Sequence, residues 1–122
     1  ISIENRYKFN YSVLPKIDYI DKKQLLYKEE RIRTILRYDC YYNKERVKMI
    51  IQNDLVQFDK ELQQNNMVFL FLEKKNMCIT KDGKLKIIEG ELLSQKHYEL
   101  LRDFVNPHYI FKKYNNCNNI YI

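Results

Sequence analysis

The side chains that most often carry catalysis are scarce in this chain and stand far apart. The serines are Ser2, Ser12 and Ser94; Ser94 is placed to cap a helix, and the other two have no base close in sequence. The histidines, His97 and His108, lie eleven residues apart with no cysteine near either, so a tetrahedral metal site would need ligands from distant segments. Cys40, Cys78 and Cys117 are odd in number and widely spaced, which predicts reduced thiols rather than a disulfide framework or a zinc knuckle. Cys78, among apolar neighbours, is expected to be a buried filler, and nothing around Cys40 marks a lowered thiol pKa. Two glycines, Gly83 and Gly90, are too few for a Walker loop or a dinucleotide fingerprint, which need several close backbone approaches to phosphate. The residues therefore assign no cofactor, no metal site and no catalytic residue.

One constellation has the residue types for metal-assisted hydrolysis. Glu73-Lys74-Lys75 follows the apolar run Met67 to Leu72, and a strand ending in Glu-x-Lys resembles part of the PD-(D/E)xK nuclease motif. That resemblance implies a carboxylate holding Mg²⁺ and a lysine positioning water, here Glu73 and Lys75. The motif also needs an acid on a preceding strand, whereas Asp54, Asp59 and Glu61 fall on an expected helix.

Binding is better represented than catalysis. The 122 residues carry 22 Lys and Arg against 16 Asp and Glu, a net charge of +6, which attracts nucleic acid or anionic surfaces. The abundance of Lys, Asn, Ile and Tyr, with no Ala, looks like AT-rich coding and accounts for part of that excess. Lys81, Lys84 and Lys86 beside a hairpin, with Lys112 and Lys113 in the tail, are the expected phosphate contacts. Tyr109, Phe111 and Tyr114 would stack or anchor beside them, and Tyr38, Tyr41 and Tyr42 form a second aromatic cluster suited to a protein interface.

These residues need a frame, and length and composition allow one. A chain of this size buries roughly two-thirds of its unfolded surface, enough for a single domain spanning 1–122 with a tail frayed from about 108. Forty-five per cent apolar and 31 per cent charged residues are globular proportions. The longest apolar run has six residues, far short of the roughly 20 that span a bilayer. The opening residues lack a signal-peptide pattern, and the missing initiator Met suggests a processed or trimmed chain; the expected setting is intracellular.

Arg6 to Tyr11 alternates polar and aromatic residues, predicting a strand with Tyr7, Phe9 and Tyr11 on one face. Asp21, with Gln24 three residues on, reads as the cap of a helix whose stripe is Leu25, Ile32, Ile35 and Leu36. Asn43 then caps a stronger helix, in which Val47, Ile50, Ile51, Leu55, Phe58 and Leu62 keep helical spacing until Gln63-Gln64-Asn65-Asn66 closes it. Met67 to Leu72 has no alternation, which predicts a central strand covered on both faces. Met77–Thr80 and Leu85–Ile88 pair across Lys81-Asp82-Gly83-Lys84, where Gly83 supplies a positive φ. Ser94 caps a last helix with Tyr98, Leu101, Phe104 and Val105 on its inner face, stopped at Asn106-Pro107. The order β-α-α-β-β-β-α predicts an α+β domain with helices gathered on one face of a small, mainly antiparallel sheet.

Two further likenesses follow from this frame. Ile79 to Ile88 resembles the hairpin that precedes the metal-binding Asp-Phe-Gly of protein kinases, but Glu89-Gly90-Glu91 follows and no catalytic residue carries over. The helix, three-strand, helix order from Asn43 to Val105 is similar to the Alu-RNA-binding small subunits of the signal recognition particle. That resemblance implies an RNA-binding sheet with Lys74, Lys75, Lys81, Lys84 and Lys86 at its basic positions. The expected function is a non-enzymatic accessory subunit of an intracellular assembly, associated with RNA in preference to DNA. A protein-interaction module or homodimer without nucleic acid is the alternative, and a metal-dependent nuclease the third reading.

Overall fold

The computed structural model describes residues 1–32, 34–37 and 44–111. In chain order its elements are α1 (Ile3–Lys8), β1 (Ile17–Asp21), β2 (Leu26–Glu29), β3 (Thr34–Arg37), α2 (Lys44–Gln64), β4 (Met67–Leu70), β5 (Met77–Thr80), β6 (Leu85–Ile87), β7 (Glu91–Ser94) and α3 (Gln95–Leu101). Single 3-10 turns sit at Lys74–Asn76, Arg102–Phe104 and Pro107–Tyr109. The α+β class holds, with antiparallel pairing throughout. Among the described residues the strands form three small sheets, β1-β2, β3-β5-β6 and β4-β7, instead of one.

The N-terminal third departs from the sequence expectation twice. Residues 6 to 11 are not a strand, because Ser2 caps α1 by accepting the Asn5 N–H at 3.2 Å, and the helix consumes Arg6 to Lys8. Tyr7, Phe9 and Tyr11 consequently do not share a face: Tyr7 is exposed and Tyr11 is buried. Nor does Asp21 cap a helix. Its carboxylate accepts the N–H groups of Lys23 and Gln24 at 3.0 and 3.1 Å, which closes the turn between β1 and β2. Leu25, expected in a buried stripe, sits in that turn at φ 59° and is 88% exposed. The expected cap Asn43 and the junction from Cys40 lie outside the described residues.

Arg6 holds this third together. It is buried, donates from Nη1 to the Pro15 carbonyl at 2.9 Å, and forms an ion pair with Glu29 on β2. An isolated two-stranded ribbon is marginal in water, so α1 and the buried guanidinium supply the support that β1-β2 lacks on its own.

From α2 onward the elements follow the sequence closely. Val47, Ile51, Leu55, Phe58 and Leu62 are buried along one stripe of α2, as the spacing requires. Asn66 at φ 54° ends the helix in the left-handed conformation that asparagine tolerates. Phe58 is the centre of the main core: Tyr11 and Phe69 meet it edge-on at 5.9 and 5.2 Å, and Phe111 stacks on it at 5.6 Å.

All four residues of β4 are buried, and the reason is visible in their partners. Met67 and Phe69 face the main core, while Val68 and Leu70 face a second cluster with Ile110, Leu93, Tyr98 and Val105. Both edges of β4 are also occupied. β7 pairs along one, and on the other Phe71 N–H donates to the Tyr109 carbonyl at 2.8 Å and Phe111 N–H to the Phe69 carbonyl at 2.9 Å. The strand ends at Leu70 because Phe71 takes φ 64°, and β7 itself is a strand that the sequence pattern did not announce.

The β5–β6 hairpin turns at Gly83, φ 75°, as expected. Its outer strand is fastened from two sides: Leu85 N–H donates to Asp54 of α2 and Ile87 N–H to the Val13 carbonyl, at 2.8 and 2.7 Å. Ser94 caps α3 by accepting His97 N–H at 3.1 Å. The inner face expected for that helix is only half realised, since Tyr98 and Val105 pack inward while Leu101 and Phe104 are exposed.

Candidate functional site

The two ends of the β5–β6 hairpin differ in charge, and the sequence explains each. At the tip, the tight turn leaves Lys81 and Lys84 exposed. Among the described residues neither forms an ion pair. The tip lies against the start of α2: the Arg46 guanidinium is 3.8 Å from the position a Cβ on Gly83 would take, and Lys44 and Lys48 are exposed on the same helix. At the base, roughly 10 Å away by strand rise, Asn76, Glu89, Gly90 and Glu91 line an open cleft of about 490 Å³ together with Phe71 and the Glu73–Lys75 pair.

The structure divides the sequence-derived candidates. Lys81 and Lys84 remain available at the tip. Lys86 does not: its side chain is 13% exposed, and Nζ bonds the Ser12 carbonyl at 3.0 Å and Glu30 at 3.3 Å, strapping residues 12 and 30 to β6. Phe111, expected as a stacking or anchoring group, is buried against Phe58 and belongs to the core. Tyr109 is exposed and leans on Phe71, ring centroids 5.2 Å apart. Lys112, Lys113, Tyr114, Tyr38, Tyr41 and Tyr42 lie outside the described residues.

No protein family, no curated protein and no solved structure matches this chain.

Function must therefore be argued from the groups themselves. Glu73 and Lys75 are 3.3 Å apart and paired with each other, on a loop and 3-10 turn after β4. The preceding acids are engaged elsewhere: Asp54 accepts from Leu85, and Glu61 accepts from the Ser12 N–H and hydroxyl, both at 3.1 Å. Among the described residues no three His, Cys, Asp or Glu side chains gather as a metal set. Burial pushes the Cys78 thiol up, with the Lys86 charge opposing, so Cys78 behaves as a core filler. The order from α2 to α3 contains four strands in two sheets, not the three-stranded sheet that the signal-recognition-particle likeness implied. Among the described residues no helix is long and apolar enough to cross a membrane.

Sequence reasoning missed two features. Phe104, 87% exposed, stands where an inner helix face was expected, and Leu100, outside that expected face, is 74% exposed as well. The cleft at the hairpin base joins positions 71 to 76 with 89 to 91, and no local pattern could announce that meeting.

Proposed function

We propose that the chain is a non-enzymatic accessory subunit of a nucleoprotein assembly, taking RNA phosphates at the tip of the β5–β6 hairpin. The observation that supports this reading is the contrast among the lysines. Lys75 and Lys86 are committed to Glu73 and Glu30, whereas Lys81 and Lys84 project unpaired beside the basic start of α2. Unpaired lysines displace counterions from a polyanion without first losing an internal partner, so the tip is the energetically favoured place for phosphate. With about three phosphates contacted, single-strand binding carries a log–log salt slope near −2, about a twenty-fold loss of affinity from 50 to 200 mM salt. Fluorescence anisotropy with a labelled RNA should show that slope, and Lys81→Gln with Lys84→Gln should lower it by about one to two while leaving the melting temperature unchanged. A flat salt response overturns the reading.

A protein-interaction module is the second reading, favoured by the exposure of Leu100 and Phe104 and of the Phe71–Tyr109 pair. Size-exclusion mass at several concentrations, with and without nuclease, separates the two: a nuclease-insensitive oligomer or protein complex supports the second reading.

A further inference from the structure

We propose that the cleft between α1 and the β1–β2 turn binds a nucleobase together with its attached phosphate. Glu4, Tyr7 and Lys8 stand at i, i+3 and i+4, so they share one face of α1. Tyr19, Asp21 and the turn residues Lys22 and Lys23 line the opposite wall of an open cleft of about 750 Å³. That volume falls in the range of roughly 300–1,000 Å³ typical of small-molecule sites. The two walls are fixed relative to one another. Arg6, buried and not part of the lining, bonds the Pro15 carbonyl at 2.9 Å and pairs with Glu29 on β2, which clamps the helix to the ribbon.

The chemistry of the lining selects the occupant. Tyr7 and Tyr19 are both half-exposed, and neither side chain has a ring contact or a hydrogen-bond partner among the described residues. An uncommitted tyrosine ring accepts any base by stacking, because every base has a π-face. The two carboxylates of the lining are already engaged: Glu4 answers Lys22 at 3.5 Å, and Asp21 accepts the N–H groups of Lys23 and Gln24. Lys8 and Lys23 form no ion pair among the described residues. Lys8 Nζ rests 5.2 Å from the centroid of the Phe9 ring, which positions the ammonium without neutralising it. Rings alone would suit a sugar or an alkyl chain, and lysines alone any anion. Together on fixed walls they select a planar ring that carries its own negative group, and a nucleotide is such a ligand, free or within a strand. This surface is separate from the hairpin tip, and the inference does not depend on phosphate binding there.

The test titrates the full chain with adenosine monophosphate, adenosine or ribose 5-phosphate, following the backbone amides of residues 4–8 and 19–23 by nitrogen–proton correlation spectroscopy. The nucleotide should shift these amides, and each of its halves should bind about tenfold more weakly. Tyr7→Leu with Tyr19→Leu, and separately Lys8→Gln with Lys23→Gln, should each weaken the nucleotide about tenfold. All four residues are exposed, an unchanged melting temperature confirms the fold, and the lysine pair carries the test if loss of the rings unfolds the ribbon. A tri-adenylate that displaces the nucleotide and binds more tightly identifies a strand as the source, whereas one that does no better identifies the free nucleotide. Ribose 5-phosphate binding as well as the nucleotide, undiminished binding by either folded variant, or shifts confined to the hairpin tip overturns the proposal. Lys81→Gln with Lys84→Gln should leave nucleotide binding intact while lowering the salt slope of RNA binding, so the two proposals fail separately.

Discussion

Gly90 and Gly83 both lie at positive φ, yet they answer to different constraints. A Cβ on Gly90 would stand 2.2 Å from Cζ of Phe69, a ring with no exposed surface, at φ 151°. The ring cannot retreat, because Phe58 meets it edge-on at 5.2 Å. A Cβ on Gly83 would meet nothing closer than 3.8 Å, so only the backbone conformation resists it. Gly83→Ala should therefore cost about 1 kcal/mol. Gly90→Ala should cost about 3 kcal/mol or more, from overpacking added to strain. Denaturant midpoints of the two variants measure the difference, and equal losses would mean that Phe69 has room to move. Lys86 teaches the same lesson about reading a charge from its type. Its type and its place on the hairpin group it with the phosphate contacts, but its 3.0 and 3.3 Å bonds to Ser12 and Glu30 give it to the fold.

At the scale of elements, what the sequence disclosed depends on whether a local signal had one meaning. α2 was legible because five buried positions keep one spacing over about four turns, and the β5–β6 turn because only glycine suits φ 75° there. The β1–β2 hairpin was not legible, for two physical reasons. An aspartate that accepts two successive N–H groups looks the same in sequence whether it begins a helix or closes a turn. The turn's left-handed residue, moreover, is Leu25, where glycine or asparagine would have marked it. Of the candidate site, the Lys81 and Lys84 tip followed from the turn, whereas the burial of Phe111 and the Asn76 cleft depend on residues far apart in sequence. The same reasoning isolates Arg6 as the support of the ribbon. Arg6→Leu removes the bond to Pro15 and the pair with Glu29 together, at a cost of about 2–3 kcal/mol. Native-state hydrogen exchange should accelerate in β1 and β2 by at least tenfold while α2 amides change far less. Uniform acceleration across the chain would show that the ribbon opens only with the whole molecule.

The whole molecule is bound by contacts that cross between its sheets. Among the described residues none of the three sheets exceeds three strands, and sheets that small do not persist without a hydrophobic partner. α2 supplies that partner to Tyr11, Val13 and Leu14 of the N-terminal third, to Phe69 of β4, to Ile79 and Leu85 of the hairpin, and to Phe111 in one continuous cluster. β4 then passes the connection to its other face, where Val68 and Leu70 carry Ile110 and α3. This shared core runs unbroken from α2 to β4 and the β5–β6 hairpin, while β1 and β2 contribute no residue to it. Unfolding should therefore be a single transition, with far-ultraviolet and tyrosine signals superimposing and a calorimetric enthalpy equal to the van't Hoff value. Tyr11 in the main core and Tyr98 in the second cluster report from opposite sides of β4, so coincidence of the signals is informative. In Arg6→Leu the ribbon is detached from its hub while α2 keeps its stripe, and a small early phase in the far-ultraviolet signal should precede the main one. An early phase already present in the unaltered protein would instead place a boundary between residues 1–32 and the rest, and the shared core would not be the unit that folds.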